Sequence, residues 1–337
     1  MRIAIVNDMP LAAEAIRRAL MAGTKHDVAW VSGNGKDAIT RCEVDRPDLL
    51  LMDLVMPLMD GVEATRRIMA SVPCPILIVT GSVHSNSARV FEAMGAGALD
   101  VVQTPVLADG SLATGAAAFC SKIETIFRLV TDKPRKGAAP RSLGQPARSL
   151  VAIGASAGGP AALATLLTGL PSDFPAGVVI IQHVDAHFAP GLAEWLGDHA
   201  KMPVRLAREG DTICAGEVLL AGTDDHLVLR RNGVLGYTPD PADYSYRPSV
   251  DVFFHSVARC WRGCAVGVLL TGMGKDGSGG LKALHDRGYY TVAQDRDSSA
   301  VYGMPKAAME IGAADDVLSL GATAPALVEY FRKRPHP

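Results

Sequence analysis

Short apolar runs alternate with amphipathic stretches through the first third of the chain. The runs are Ile3–Val6, Val28–Val31, Leu49–Met52, Ile76–Val79 and Leu99–Val102. Nearly continuous apolar runs of this length fit strands covered on both faces. Between and after them, Leu11–Met21, Gly35–Asp45, Gly61–Ala70, Ser85–Gly95 and Leu112–Leu129 read as helices. Five such β-then-α units predict a five-stranded parallel sheet with helices on both sides. The functional crevice of such a sheet lies at the carboxyl ends of its strands. Asn7 and Asp8 follow the first strand, Asp53 the third and Thr80 the fourth.

The pattern resumes at Leu150–Ile153, a strand that runs into Gly154-Ala-Ser-Ala-Gly158 and then a helix-like Ala161–Leu170. Val178–Gln182 and Ala265–Thr271 are further buried-strand candidates; Arg205–Arg208, Glu217–Ala221, Leu227–Arg230 and Tyr290–Gln294 are weaker ones. The expectation is a second α/β unit, doubly wound and mostly parallel. Between the two units, Lys133–Arg148 is rich in Pro, Gly, Ala and basic residues and has no apolar period. It reads as a connector. The expected division is residues 1–130, a linker at 131–148, and residues 149–337.

Composition narrows the classes. With 337 residues, 48% hydrophobic and 20% charged, the chain has material for two cores and an ordinary globular make-up. A formal charge of −2 gives no electrostatic footprint for nucleic acid, and no helix-turn-helix pattern follows the linker. The six cysteines form no C-x-x-C pair, which fits reduced thiols. The opening Met1–Val6 strand is read as leaving no room for a signal peptide, and no apolar run approaches the roughly 18 residues of a membrane span. A cytoplasmic protein without membrane insertion is expected.

Two constellations carry chemistry. Asp8, Asp53 and the Asn7 amide converging on one crevice suit a hard divalent cation, Mg²⁺. A carboxylate beside such a cation is also a nucleophile toward phosphate. In the second half, strand, tight G-x-S-x-G turn and helix is the geometry that lifts a serine hydroxyl above a sheet edge. Ser156, His183 and Asp276 each follow a buried strand, so they are expected to converge as nucleophile, general base and orienting acid. Asp185, Asp251 and Asp295 are alternative acids; Asp276 is preferred for its glycine-rich surroundings. The backbone near Ala157 and in Gly272-Met273-Gly274 is the expected oxyanion site.

Both halves resemble known families. Ile5-Val-Asn-Asp-Met-Pro10, Leu51-Met-Asp-Leu-Val-Met-Pro57, Met59-Asp-Gly61, Val79-Thr-Gly81 and Gly97-Ala-Leu-Asp100 resemble a response-regulator receiver domain, which has a flavodoxin-like fold. That resemblance implies Asp53 as phosphoacceptor, Asp8, Asn7 and Asp53 at a Mg²⁺ site, and Thr80 as the switch hydroxyl. The chain departs from the pattern twice. The usual acidic pair is Asn7-Asp8, and the lysine expected before Pro105 is Thr104. Gly154-Ala-Ser-Ala-Gly-Gly-Pro160, Gln182-His183, Arg247-Pro-Ser-Val-Asp251, Leu270-Thr-Gly-Met-Gly-Lys-Asp-Gly277, Ala293-Gln-Asp295 and Val301-Tyr-Gly-Met-Pro305 resemble the catalytic domain of the chemotaxis protein-glutamate methylesterases. On that resemblance Ser156, His183 and Asp276 form the triad and Met273 lies at the oxyanion site. The substrate it implies is a glutamyl γ-methyl ester on the cytoplasmic helices of a methyl-accepting chemoreceptor, with glutaminyl deamidation as companion reaction and no cofactor for the esterase step. A chemotaxis-type histidine kinase is the implied phosphodonor. Ile5–Pro10 is also similar to the branch attached to Wsp-type surface-sensing pathways linked to biofilm formation. Two rival readings are a receptor- or kinase-binding module and a serine hydrolase of small esters.

Overall fold

The computed structural model describes residues 1–81, 87–105, 107–108, 111–112, 116–131, 146–186, 188–244 and 246–333. The chain divides into two compact units, Met1–Asp132 and Lys133–Pro337. Most of the expected linker lies outside the described residues.

The first unit alternates as expected: β1 Arg2–Val6, α1 Pro10–Gly23, β2 Asp27–Ser32, α2 Gly35–Val44, β3 Leu49–Met52, α3 Gly61–Ser71, β4 Ile76–Thr80, α4 Ser87–Gly95 and β5 Asp100–Gln103. The strands form one parallel sheet in the order β2-β1-β3-β4-β5, the flavodoxin-like order. The order reverses between β1 and β3, which pair Ile3 with Leu49 through Val6 with Met52. Asn7, Asp8 and Asp53 therefore emerge side by side at the switch point. Leu112 departs from expectation: it lies not in a helix but in a short antiparallel pair, β6 Leu107–Ala108 with β7 Ser111–Leu112. The last helix, α5, starts at Ala116 and ends at Thr131. The helical period of the residues that follow had drawn Leu112 into the expected helix.

The second unit is built on a seven-stranded, all-parallel sheet. Its strands are β8 Ser149–Ala155, β9 Gly177–Gln182, β10 Val204–Leu206, β11 Val218–Leu220, β14 Cys264–Leu269, β15 Tyr290–Gln294 and β16 Asp316–Leu318, in the order β10-β11-β9-β8-β14-β15-β16. The remaining strands, β12 His226–Leu229 and β13 Leu235–Thr238, form a separate antiparallel hairpin. The weak candidate Leu227–Arg230 thus belongs to this hairpin and not to the main sheet. The helices are α6 Gly159–Gly169, α7 Ala189–His199, α8 Val250–Cys260, α9 Ser278–Asp286, α10 Met304–Glu310 and α11 Leu320–Arg332. Every residue of β8 and β9 is buried, as their apolar runs Leu150–Ile153 and Val178–Ile181 demand, and the burial includes the polar Ser149 and Gln182.

The first strand, β8, pairs with β9 on one side and β14 on the other, so the reversal of strand order falls at its carboxyl end. Phe253, Phe254 and Val257 of α8 share one apolar core with Leu269 of β14 and with Leu281 and Leu284 of α9. That core brings the first turn of α8 to the ends of these strands. There Val250 occupies the space a side chain at Gly154 would need: a Cβ on Gly154 would sit 2.2 Å from Val250 Cγ1.

Candidate active site

The G-x-S-x-G turn begins where β8 ends. Gly158 is left-handed (φ 77°), a conformation that favours glycine, and it turns the chain directly into α6. Ser156 sits in this turn, 1% exposed, its N–H donating to the Thr271 carbonyl (3.0 Å). Gln182, the last residue of β9, is fully buried and donates from Nε2 to the carbonyls of Ser156 and His183, 3.0 Å each. This amide ties the serine turn to the histidine strand.

His183 leaves β9 and is buried, with its Nδ1 3.0 Å from Ser156 Oγ and its Nε2 2.8 Å from Asp276 Oδ2. A carboxylate only accepts, so Nε2 carries the proton and Nδ1 presents its lone pair to the serine hydroxyl. Tyr246 lies flat against the imidazole, with ring centroids 4.0 Å apart and planes 8° from parallel. Burial, with the Asp276 charge adding to it, pushes the Tyr246 phenol far above its usual range, so it stays neutral.

Asp276 precedes α9, yet its carboxylate caps α8. Oδ1 accepts from Ser249 Oγ (2.8 Å) and Asp251 N–H (3.0 Å), and Oδ2 accepts from Val250 N–H (2.7 Å) as well as from His183. Burial by itself would raise this carboxyl. The hydrogen bond from His183 and the N–H groups of Asp251 and Val250 outweigh it, and the group is held below the ordinary carboxylate range. The helix N-terminus supplies both orphan N–H groups and a favourable dipole.

Two groups that sequence reasoning did not assign hold this acid in place. Ser249 is the N-cap of α8 and donates its hydroxyl to Asp276. His226 accepts from Ser249 N–H at Nδ1 (3.0 Å) and donates from Nε2 to the Pro241 carbonyl (3.1 Å). Burial pushes the His226 imidazole down, matching a neutral ring with both nitrogens engaged. Of the alternative acids, Asp251 receives Gly280 N–H (2.6 Å) at the start of α9, and Asp295 receives the N–H and hydroxyl of Ser298. Neither has a hydrogen bond to His183. Ser249 carried a readable signal, a serine two residues before the acidic first turn of an apolar-periodic helix. His226 carried none, because its partners come from distant loops.

Around the serine, Ala157 and Met273 are buried, and among the described residues their backbone N–H groups have no acceptor. Buried N–H groups without partners are rare. They fit a site that supplies the acceptor only during reaction.

The receiver-like crevice has a different electrostatic character. Asp53 accepts from Asn7 Nδ2 (3.0 Å) and from Leu54 N–H (2.7 Å). Burial pushes its carboxyl up and the nearby Asp8 charge adds to this, against the N–H groups of Leu54 and Val55. Among the described residues neither carboxylate has a Lys or Arg partner. Thr104, where receivers carry lysine, donates its N–H to the Thr80 carbonyl (2.9 Å). Lys122 is engaged with Asp100, at the opposite end of β5 (2.7 Å). Two adjoining carboxylates without a counter-charge fit a divalent cation. Asn7 fits less well as a ligand: its amide nitrogen faces Asp53 and its oxygen already accepts from Met9 N–H (2.9 Å). Thr80 is buried at the carboxyl end of β4.

Comparison with known proteins follows the same division. The family model for CheB methylesterase matches residues 151–327, and that for the response regulator receiver domain matches residues 3–113. The chain belongs to the CheB methylesterase family. Protein-glutamate methylesterase/protein-glutamine glutaminase 3 of Pseudomonas aeruginosa is 57% identical over 334 residues, 98% of this chain and 100% of that one. Protein-glutamate methylesterase/protein-glutamine glutaminase 1 of Pseudomonas fluorescens Pf-5 is 58% identical over 336 residues, 99% of this chain and 100% of that one. Among solved structures, the CheB methylesterase catalytic domain of Thermotoga maritima superposes with TM-score 0.52 at 34% identity, over 54% of this chain and 97% of that one. No described helix is long and apolar enough to cross a membrane.

Proposed function

We propose that this CheB family member is a protein-glutamate methylesterase and protein-glutamine glutaminase whose nucleophile is Ser156. The observation that carries this reading is the unbroken hydrogen-bonded chain from Ser156 Oγ through His183 to Asp276. Ser156 Oγ attacks the γ-carbonyl of a methylated glutamyl side chain as its proton passes to His183 Nδ1. Asp276 stabilises the imidazolium through Nε2–H, and the N–H groups of Ala157 and Met273 receive the oxyanion. Collapse of the tetrahedral species expels methoxide, which takes the proton from His183 Nδ1 and leaves as methanol. Water, deprotonated by His183, then attacks the acyl carbonyl; the bond to Ser156 Oγ breaks, glutamate is released, and His183 returns the proton to Ser156 Oγ. A glutaminyl substrate follows the same course with ammonia leaving.

The substrate is a methyl-accepting chemoreceptor, reached on its cytoplasmic helices, which places the enzyme in the cytoplasm. The receiver unit takes a phosphoryl group on Asp53 from a chemotaxis-type histidine kinase, and the phosphorylated state raises esterase activity. Asp8 and Asp53 would hold Mg²⁺ there, and the bound cation supplies the positive charge that lets an anionic carboxylate accept a phosphoryl group. Thr80 is the switch hydroxyl in this reading.

Methanol release from a methylated receptor cytoplasmic fragment tests the reading, with the wild type, Ser156→Ala and Asp53→Asn compared with and without a small phosphodonor and Mg²⁺. Release that needs Ser156 and rises with phosphodonor only when Asp53 is present is expected. Serine-dependent release indifferent to Asp53 would remove the regulation and leave the enzyme. Binding without any release would replace the enzyme by a binding module. Turnover of small esters without receptor turnover would make the chain a general hydrolase.

A further inference from the structure

The two proposed oxyanion donors lie on segments more than a hundred residues apart in sequence. Ala157 follows the nucleophile at the end of β8, and Met273 lies in the turn that leaves β14. They serve one oxygen atom only if those segments are fixed to each other. We propose that Thr271 is the positioning residue that does this: its hydroxyl clamps the serine turn to the Gly272–Gly274 turn. The inference rests on the esterase reading above and names the group that aligns its oxyanion site.

Thr271 is 1% exposed, and every polar atom it carries is engaged. Its hydroxyl is 2.9 Å from the Ala157 carbonyl and accepts Val301 N–H at 2.9 Å; the Val301 carbonyl, a second possible acceptor, lies at 3.2 Å. Its carbonyl accepts Ser156 N–H, so the Ser156–Ala157 segment is held by Thr271 on both sides of the peptide that bears the Ala157 N–H. Its own N–H donates to Gln294 Oε1 (2.7 Å), at the end of β15. The next residue, Gly272, donates to the Val301 carbonyl (3.0 Å) and accepts from Gly303 and Met304 N–H (3.0 and 2.9 Å). The fit is close: a Cβ on Gly158 would lie 3.3 Å from the Thr271 hydroxyl oxygen, and one on Gly272 2.8 Å from Ser156 Cβ. One hydroxyl therefore joins the serine turn, the Met273 turn and the Val301–Met304 turn. Among the described residues Thr271 has no hydrogen bond to His183, Asp276 or Ser156 Oγ, so its influence runs through the position of the donors.

The test uses the full chain and the γ-methyl ester of a blocked glutamyl peptide, with kcat and KM measured separately. Thr271→Val keeps the shape and removes the hydroxyl; Thr271→Ser keeps the hydroxyl. Misaligned oxyanion donors cost rate and not ground-state binding, so Thr271→Val is expected to lose about 10²-fold in kcat with KM within about twofold. Thr271→Ser is expected to stay within about threefold of wild type. Thr271→Cys, a weak donor of similar size, is expected between them and serves where Thr271→Val does not fold. A Thr271→Val enzyme with wild-type kcat, or a Thr271→Ser enzyme as slow as Thr271→Val, would overturn the clamp while Ser156-dependent turnover stood. Turnover that survives Ser156→Ala would overturn the esterase reading, and the clamp with it.

Discussion

Replacing Asp276 by Asn tests whether one carboxylate both orients the base and caps a helix. The native group accepts four hydrogen bonds, two at each oxygen, and donates none. An amide has a single acceptor oxygen. With that oxygen kept toward Ser249 and Asp251, the NH₂ group of Asp276→Asn faces Val250 N–H and His183 Nε2–H. The imidazole can escape by changing tautomer, accepting at Nε2 and moving its proton to Nδ1, but Nδ1 then no longer accepts from Ser156. The Val250 N–H has no such escape and loses a charge-assisted bond of about 1.5–3 kcal/mol. Asp276→Asn is therefore expected to cost about 2–3 kcal/mol by urea unfolding and about 10⁴-fold in kcat. The pH dependence has a definite sign. The folded carboxyl is held below its unfolded value, about 3.9, so its contribution is present above that pH and is lost as pH falls through the folded value. The stability gap between wild type and Asp276→Asn should be flat from neutrality to about pH 5 and close below about pH 4. A variant of unchanged stability would refute the capping role, and a kcat loss under tenfold would refute the tautomer argument.

Three further outcomes follow from the same geometry. Mg²⁺ should raise the thermal midpoint at neutral pH by relieving the Asp8–Asp53 pair, with the effect lost in Asp53→Asn and enlarged in Asn7→Asp; a midpoint indifferent to Mg²⁺ in all three proteins would contradict the fit. Gly272→Ala would set a Cβ 2.2 Å from Met304 Sδ and 2.8 Å from Ser156 Cβ. It should cost about 1–3 kcal/mol of stability and at least tenfold in methanol release, which wild-type turnover would disprove. His226 is held neutral, its folded value below the unfolded one of about 6.5, so it withdraws stability as pH falls below that value. His226→Gln should flatten the stability slope between pH 6.5 and 5, and an unchanged slope would place that titration elsewhere.

How much of this was legible depended on how local the signal was. The unbroken apolar runs Val178–Ile181 and Ala265–Leu270 announced buried parallel strands, and a parallel sheet delivers whatever follows each strand to one edge. His183 was legible for that reason, and Ser156 because the apolar run Leu150–Ile153 leads into its G-x-S-x-G turn. Asp276 was legible only as a preference, because a glycine-rich turn does not say which helix its carboxylate will cap. The hairpin at His226–Thr238 misled, since a four-residue apolar strand reads alike in a sheet core and in an outlying ribbon. The supports Gln182, Ser249, His226 and Thr271 gain their meaning from partners 15 to 114 positions away: the Ser156 carbonyl, Asp276, Pro241 with Ser249, and the Ala157 carbonyl. No window of sequence contains such a pair.

Each unit sets one aspartate, Asp53 or Asp276, beyond the carboxyl end of a central parallel strand at its candidate site, and the two surroundings drive the carboxyls in opposite directions. Asp276 meets a helix N-terminus, a serine hydroxyl and an imidazole, so its charge is fully satisfied. Such a group has little tendency to bind or attack anything and serves to hold its neighbour. Asp53 meets an amide, a backbone N–H and a second carboxylate, so burial and repulsion leave its charge in excess. A carboxylate in that condition gains by acquiring a cation, whose charge would also offset the negative charge that an acyl phosphate adds. Topology brings acids to the strand ends in both units, and the donors facing them decide which acid orients and which reacts. The missing lysine sharpens the contrast. With Thr104 in its place, the described residues offer Asp53 no fixed positive charge, so a bound cation bears a larger share of the neutralisation than in a receiver that keeps the lysine. Phosphorylation of this chain should accordingly depend more steeply on Mg²⁺ concentration than that of its Thr104→Lys variant, and equal dependence in the two would show that the lysine position has no electrostatic influence on Asp53.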